Sequence, residues 1–185
     1  MSARVISGKA RGKRLKLVPG DTTRPIMDRV KESLFNILGV VSGTRWLDLF
    51  AGTGQVGIEA LSRGAAAVVF VDSGRAAVQT VRDNLAFTRL DEWATVVQSD
   101  AFRYLRETGE PPFDVIFIAP PQYKELWISA LTAIDAAAPR YLTADGQAIV
   151  QIDPREFKEL PLQQLTLTDQ RRYGNTLLCF YAVRE

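Results

Sequence analysis

No histidine occurs among the 185 residues. That removes imidazole acid–base catalysis, Ser–His and Cys–His nucleophile pairs, and histidine metal ligation, and no metal is expected. The single cysteine, Cys179, cannot close an internal disulfide, and its apolar surroundings read as core. No apolar run approaches the roughly 18 residues of a membrane helix, and no charged-then-apolar leader opens the chain. Neither a membrane span nor a signal peptide is therefore expected, and the cysteine usage points to the cytoplasm. Repeats and low-complexity linkers are lacking as well. What remains, 46% of it apolar, suffices for one sizeable core.

Net charge is only +2, yet it is unevenly spread. Residues 1–31 carry nine Lys/Arg against Asp21 and Asp28, while the remaining 154 residues carry 14 basic and 19 acidic groups. A near-neutral body with a basic arm suits a polyanion held at one end, although a merely solvated terminus has the same signature. Within the arm, Arg4–Ser7 and Arg14–Val18 have strand character and flank Gly8–Gly12. A small hairpin is expected, ending at Pro19-Gly20 and showing Lys9, Arg11, Lys13, Arg14 and Lys16 from its tip and one face. Those side chains suit phosphate contacts. From Met27 to Leu38, Val30, Leu34, Ile37 and Leu38 recur at helical spacing, and Gly39 stops the helix. Asp28, Arg29, Lys31 and Glu32 form its charged face.

Beyond Thr44 strands and helices alternate. Strands are expected at Trp46–Phe50, Ala66–Asp72, Ala94–Ser99, Asp114–Ile118 and Gln147–Ile152. Helices are expected at Gln55–Arg63, Arg75–Phe87, Phe102–Glu107 and Tyr123–Ala138. Continuous apolar runs rather than alternating ones indicate a parallel sheet covered on both faces. Leu162–Thr168 and Thr176–Val183 read as a closing antiparallel hairpin around Arg171–Asn175. The organisation expected is a basic appendage over residues 1–39 and a doubly wound α/β domain over 40–185.

Ligands of open α/β sheets sit beyond the carboxyl ends of the strands, and those ends carry chemistry here. The first supplies Asp48, an acid in an otherwise apolar strand, then a glycine turn. The second supplies Asp72, 18 residues after Gly54, a separation suited to gripping ribose hydroxyls. The third supplies Ser99-Asp100, able to accept from an adenine amine. The fourth supplies Ala119-Pro120-Pro121-Gln122-Tyr123. One such acid is ordinarily a solvated turn or a helix cap; signals at four successive strand ends describe a site.

Gly52-Thr53-Gly54-Gln55-Val56-Gly57 also satisfies the dinucleotide pattern G-x-G-x-x-G, so an NAD enzyme fits these two signals equally. Against it stand Asp48, the basic arm, the Pro-Pro loop and the want of a second, substrate domain.

Further residues carry a resemblance. Asp48–Gly54, Phe70-Val71-Asp72 and Ser99-Asp100 resemble the cofactor motifs of class I S-adenosylmethionine-dependent methyltransferases. Arg24-Pro25 with Asp28–Leu38 resembles the helix signature of the RsmD-like family, the 16S rRNA guanine-N2 methyltransferases. Val5–Gly8, Gly12–Leu15 and Tyr173–Leu178 fit the same family. The resemblance implies a Rossmann-like, mostly parallel seven-stranded sheet with an antiparallel C-terminal strand, preceded by the hairpin and helix. It implies S-adenosyl-L-methionine as cofactor and 16S rRNA or the assembling 30S subunit as partner of a monomer. Asp48, Gly52 and Gly54 would line the methionine end, Asp72 the ribose and Asp100 the adenine, with Phe50, Ser73 and Ala101 also contacting the cofactor. The arm's Lys9, Arg11, Lys13 and Arg14 would meet RNA, and the face from Arg24 through Arg29 to Lys31 would close the site beside it.

The Pro-Pro loop departs from the pattern. Exocyclic-amine methyltransferases usually place Asp, Asn or Ser before Pro-Pro and an aromatic directly after. Ala119 offers no side-chain acceptor, Gln122 takes the aromatic's place, and Tyr123 comes one position late. A lost charge-assisted hydrogen bond costs roughly 1.5–3 kcal/mol, or about ten- to a few-hundredfold in rate if made only in the transition state. The alternative is an assembly factor of the same fold that binds RNA and methylates slowly or not at all.

Overall fold

The computed structural model describes residues 3–20 and 25–185. Ala3–Arg4 (β1) and Arg14–Leu15 (β2) pair antiparallel, a shorter hairpin than the sequence suggested. Val5 and Gly12–Lys13 still bond across the hairpin, and the residues between form turns, with Arg11 N–H to Gly8 O at 3.2 Å and Lys13 N–H to Ala10 O at 3.1 Å. Helix α1 (Asp28–Leu38) follows and ends at Gly39, whose φ of 69° lies in the left-handed region that favours glycine.

Seven strands form the main sheet: β3 (Arg45–Asp48), β4 (Ala67–Asp72), β5 (Ala94–Gln98), β6 (Phe113–Ile118), β7 (Leu142–Ile152), β8 (Leu165–Tyr173) and β9 (Thr176–Val183). Their spatial order is β5-β4-β3-β6-β7-β9-β8. The first five neighbours pair parallel, and β9 runs antiparallel to both β7 and β8, so β9 alone opposes the sheet's direction. Helices α2 (Gln55–Ser62), α3 (Arg75–Thr88), α4 (Ala101–Glu107), α5 (Leu126–Asp135) and α6 (Ala138–Tyr141) complete a doubly wound α/β architecture. One apolar layer unites the arm, α1, α2 and the adjoining sheet face; the other lies under α4 to α6 and contains the fully buried Cys179. Among the described residues no helix is long and apolar enough to cross a membrane.

Several boundaries differ from expectation for identifiable reasons. The helix expected from Tyr123 begins at Leu126, because Tyr123 and Glu125 take φ values of 59° and 54°. It stops at Asp135, and Pro139 falls in the first turn of a separate short helix that begins at Ala138, where its missing N–H does no harm. Strand β7 begins at Leu142, five residues before the expected Gln147, with a register irregularity opposite Phe113/Val115 that lets the longer strand stay paired. Strand β8 starts only at Leu165, because Asp135 takes the N–H groups of Gln163, Gln164 and Leu165. It then runs through Arg171 and Arg172, leaving Gly174-Asn175 as the turn.

Helix α1 also turns a different face inward. Ile37 is 39% exposed, and Phe35 is buried in its stead, stacked on Trp46 with ring centroids 5.4 Å apart. Lys31, expected on the charged face, is wholly buried. Its ammonium lies 3.6 Å from the buried carboxylate of Glu59 in α2 and donates to Arg4 O. Burial lowers the Lys31 pKa while Glu59 opposes that shift. Glu59 also accepts from Ile6 N at 2.8 Å, Ser7 N at 3.0 Å and Arg63 Nε at 2.8 Å. The arm is thus pinned by a charge that cannot be solvated any other way. Next to it, Gly8 has φ +83° and meets α2 so closely that a Cβ would lie 1.8 Å from Ser62 O. Lys9 N donates to that same carbonyl at 2.8 Å.

Glu59→Ala strands the Lys31 ammonium and two arm amides in the interior. Breaking a buried pair from one side costs about 3–5 kcal/mol, so the urea midpoint should fall accordingly. A loss under about 1 kcal/mol, within the range of a surface ion pair, would show that the arm is held elsewhere.

Candidate active site at the strand ends

The sheet winds outward in both directions from β3, so the crevice beyond β3 and β6 is its topological switch point. The two strands are joined there by Leu49 N–H to Phe117 O at 3.0 Å. Asp48 ends one strand, and Ala119-Pro120 follows the other.

Asp48 is buried, and its Oδ2 accepts from Gly57 N in the first turns of α2 at 3.2 Å. Burial raises its pKa to about 7; the Gly57 hydrogen bond opposes this, and the nearby Asp72 charge adds to it. Between these elements Gly52 and Gly54 adopt φ of 55° and 76°, and the space a Gly52 Cβ would enter is open. A ligand can therefore approach that backbone closely. Asp72 braces the turn: Oδ2 accepts from Gly52 N at 2.9 Å and Oδ1 from Gly74 N at 2.8 Å. Asp100 caps α4, with Oδ1 accepting from Phe102 N and Arg103 N at 3.0 and 2.9 Å. Among the described residues its Oδ2 has no hydrogen-bond donor. Phe50 is half-buried, Ser73 exposed and Ala101 buried at the start of α4. The three acids end neighbouring strands, as a nucleoside-type ligand requires.

On the other side of the crevice, Ala119 packs against the arm-side core and Pro120 is buried. Pro121 and Gln122 are exposed, and among the described residues the Gln122 side chain makes no hydrogen bond. Tyr123 is 58% exposed, but it is not free to rotate. Its hydroxyl donates to Asp153 Oδ2 at 2.6 Å and accepts from an Arg155 NH2 at 2.6 Å, and its N–H donates to Glu156 Oε1 at 2.7 Å. Left-handed backbone at non-glycine residues costs of order 1–3 kcal/mol each. These contacts offset that cost at Tyr123, and an ion pair between Lys158 and Glu125 does so at Glu125.

The arm's cations divide. Lys9 lies over Trp93, Lys13 donates to Phe87 O at 2.8 Å, and Lys16 pairs with Asp83 at 3.0 Å. Lys13 and Lys16 thus lean back on α3 instead of standing off the hairpin, each long side chain gaining a partner there. Arg11, Arg14 and Arg29 are exposed and form no ion pair among the described residues. Arg24 lies outside the described residues.

Three polar residues that bear on the site had not been singled out from sequence. Glu59 is one. Asn84 in α3 is another: its amide accepts from Lys16 N at 2.8 Å and donates to Thr53 O at 3.0 Å, tying the arm to the glycine turn. Asp153 is the third. All three are buried; only Glu59, between Ile58 and Ala60-Leu61, carries the signal that marked Asp48, whereas Asn84 and Asp153 stand near other polar residues and give none.

Acids at three neighbouring strand ends, a glycine turn at the switch point and a single opposing strand define a Rossmann-like class I methyltransferase fold. A crystal structure described as an RNA methyltransferase from Salinibacter ruber in complex with S-adenosyl-L-homocysteine shares that fold, with a TM-score of 0.66 at 14% identity over 88% of this chain and 95% of that one. The family model described as Conserved hypothetical protein 95 matches residues 3–182, and the chain belongs to that family, the RsmD-like methyltransferases. A Bacillus subtilis relative named "Putative rRNA methyltransferase YlbH" is 46% identical over 98% of this chain and 99% of its own length. "Ribosomal RNA small subunit methyltransferase D" of Escherichia coli is 40% identical over 64% of this chain and 59% of its own. The solved structure of "Putative methyltransferase yhhF" from Escherichia coli superposes with a TM-score of 0.85 at 29% identity, covering 99% and 98% of the two chains. The dinucleotide reading of the glycine turn falls with this membership.

Asp48 carries a pH test. Its folded pKa, about 7, lies above the ordinary carboxylate value near 3.8, so the folded state retains a proton that the unfolded chain releases. That contribution is full below about pH 4 and is lost as pH rises to about 7, a fall on the order of a few kcal/mol at most. Asp48→Asn should flatten the urea-derived stability profile across this window. An unchanged slope would assign the titration to other groups.

Proposed function

We propose that the chain transfers a methyl group from S-adenosyl-L-methionine to an exocyclic amine of rRNA, guanine N2 of 16S rRNA, in the cytoplasm. The observation that carries this reading is the pairing of β3 with β6, which sets Asp48 and Ala119-Pro120 at adjacent strand ends across one crevice. The names borne by the relatives agree with it. The open space at Gly52 and the buried, partly uncompensated Asp48 carboxylate fit this cofactor.

When bound, S-adenosyl-L-methionine supplies an electrophilic methyl on a sulfonium centre. Asp48 is suited to receive the cationic methionine end, because a nearby ammonium would hold its carboxylate ionised. Asp72 keeps lone pairs for ribose hydroxyls while bracing Gly52 and Gly74, and Asp100 Oδ2 is available toward the adenine. At the target side, the carbonyls of Ala119 and Pro120 would accept the amine's hydrogens and turn its lone pair toward the methyl. Tyr123 would stack on a flipped base. Arg11, Arg14 and Arg29, with Lys9, would meet phosphates of naked rRNA or of an assembling 30S subunit, giving salt-dependent affinity.

The second reading, a slow or inactive RNA-binding assembly factor, draws on Ala119, which brings no side-chain acceptor to the amine. One experiment separates the two: tritiated-methyl transfer to naked 16S rRNA and to assembled 30S particles, with calorimetry of cofactor binding. Wild type should incorporate label, and Ala119→Asp should raise the rate about tenfold or more. Asp72→Ala should abolish cofactor binding. Label absent from both proteins, with RNA still bound, would favour the assembly factor; a wild type that binds no S-adenosyl-L-methionine would end the enzymatic reading.

A further inference from the structure

Segment 153–158, just after β7, holds the loop that follows Pro121 from outside. Asp153 is 4% exposed and caps its own short turn, accepting from Arg155 N at 2.9 Å, while Glu156 accepts in return from Asp153 N. This reciprocal pair makes the turn rigid before it touches the loop. From that base it reaches Tyr123 at two atoms. The main-chain N–H goes to Glu156, and the hydroxyl is held between the Asp153 carboxylate and the Arg155 guanidinium. Arg155 is fixed in turn by Asp153, with Nε–Oδ1 at 3.1 Å and NH2–Oδ2 at 2.9 Å, and its guanidinium lies 5.6 Å from the Tyr123 ring centroid. A tyrosine that is 58% exposed is thereby fixed at ring and backbone in a left-handed turn.

An exposed aromatic held this firmly needs a reason. The loop's own sequence supplies one. With Ala119 lacking an acceptor, orientation of a target amine falls to main-chain carbonyls, whose direction depends on the loop's backbone torsions. Tyr123 stands one place beyond the usual aromatic position, so its use as a stacking ring depends on the backbone turn it sits in. We propose that Asp153, acting with Arg155 and Glu156, is a positioning residue for methyl transfer, fixing Tyr123 and through it the Pro-Pro loop in the geometry that receives the base. Asp153 touches neither cofactor nor base in this scheme. The inference rests on the enzymatic reading above.

Misplacement by about 1 Å can cost on the order of a hundredfold in rate, so the expected effect lies in turnover and not in cofactor affinity. Asp153→Asn keeps the cap of the turn but weakens the hold on the hydroxyl; Arg155→Ala alters a surface side chain and leaves the core untouched. Both should lower kcat for methylation of an unmethylated 16S transcript, or of 30S particles built from it, by about ten- to a hundredfold. Calorimetric Kd for S-adenosyl-L-methionine should stay within about twofold. Tyr123→Phe should show a comparable loss, and adding Asp153→Asn to it should cost nothing more, because the two act as one unit. An independent readout uses full-length protein carrying 3-fluorotyrosine. The fluorine resonance missing in Tyr123→Phe should move in Asp153→Asn and in Arg155→Ala, while the signals of the other four tyrosines stay in place. Unchanged kcat in Asp153→Asn, multiplicative losses in the double variant, or an unmoved Tyr123 resonance would overturn the inference while leaving the enzymatic reading standing. A wild type that methylates neither RNA would overturn both.

Discussion

The carboxylate of Glu59 is the point on which the arm, α1 and α2 converge. It has no route to water, so its charge is carried by Lys31 from α1, Arg63 from its own helix and two amides from the arm. A buried charge of this kind is weak evidence for stability, since an apolar replacement of the whole group can be neutral or better. What it does specify is arrangement. The arm as docked and α1 as rotated bring all of these donors to the carboxylate together, and the inward turn of Lys31 is part of that arrangement. Because α2 begins directly after the glycine turn, the element that fixes the arm also carries the amide that braces Asp48. Asn84 repeats the connection from the other side, joining Lys16 to Thr53. The basic arm and the crevice are thereby linked through α2 and α3 by direct hydrogen bonds.

Across the switch point the polar groups are unevenly distributed. The β3, β4 and β5 ends bring three carboxylates, each already holding backbone amides. The β6 end brings none. Acids that brace the ligand-side loops are preorganised, so little reorientation remains to be done when a ligand arrives. Asp48 is the exception: it is desolvated, with a single hydrogen-bond partner among the described residues, Gly57 N at 3.2 Å.

The sheet was legible because its strands are continuous apolar runs with acids at their carboxyl ends, and pattern of that kind survives any detail of packing. The acids Asp48, Asp72 and Asp100 were legible for the same reason. Boundaries set by long-range partners were not. Nothing near residue 165 announces that Asp135, 30 positions earlier, will claim its amide. The burial of Lys31 was hidden because periodicity reports a residue's position on a helix, not the acid waiting on another element. Lys13 and Lys16 fit a phosphate-facing arm until Phe87 and Asp83 of α3 are seen beside them. Local pattern finds the elements; pairing between distant polar side chains decides how they are turned.

The loop after β6 is where local rules fail most plainly. A run from Tyr123 into Leu126-Trp127-Ile128 satisfies helical periodicity, yet the chain takes left-handed torsions at two non-glycine residues before the helix is allowed to start. Departures of this kind persist only where surrounding contacts over-determine them. Here those contacts come entirely from residues 153–158, on the neighbouring strand's end, and they converge on the tyrosine beside the position where the usual acceptor is absent. Removing a side-chain acceptor makes the direction of the backbone carbonyls matter more, and a strained loop held at three atoms is a means of fixing that direction. On the proposed reading, Ala119 and the clamp on Tyr123 form one arrangement, in which conformational restraint of the main chain takes over part of what a polar side chain would otherwise do.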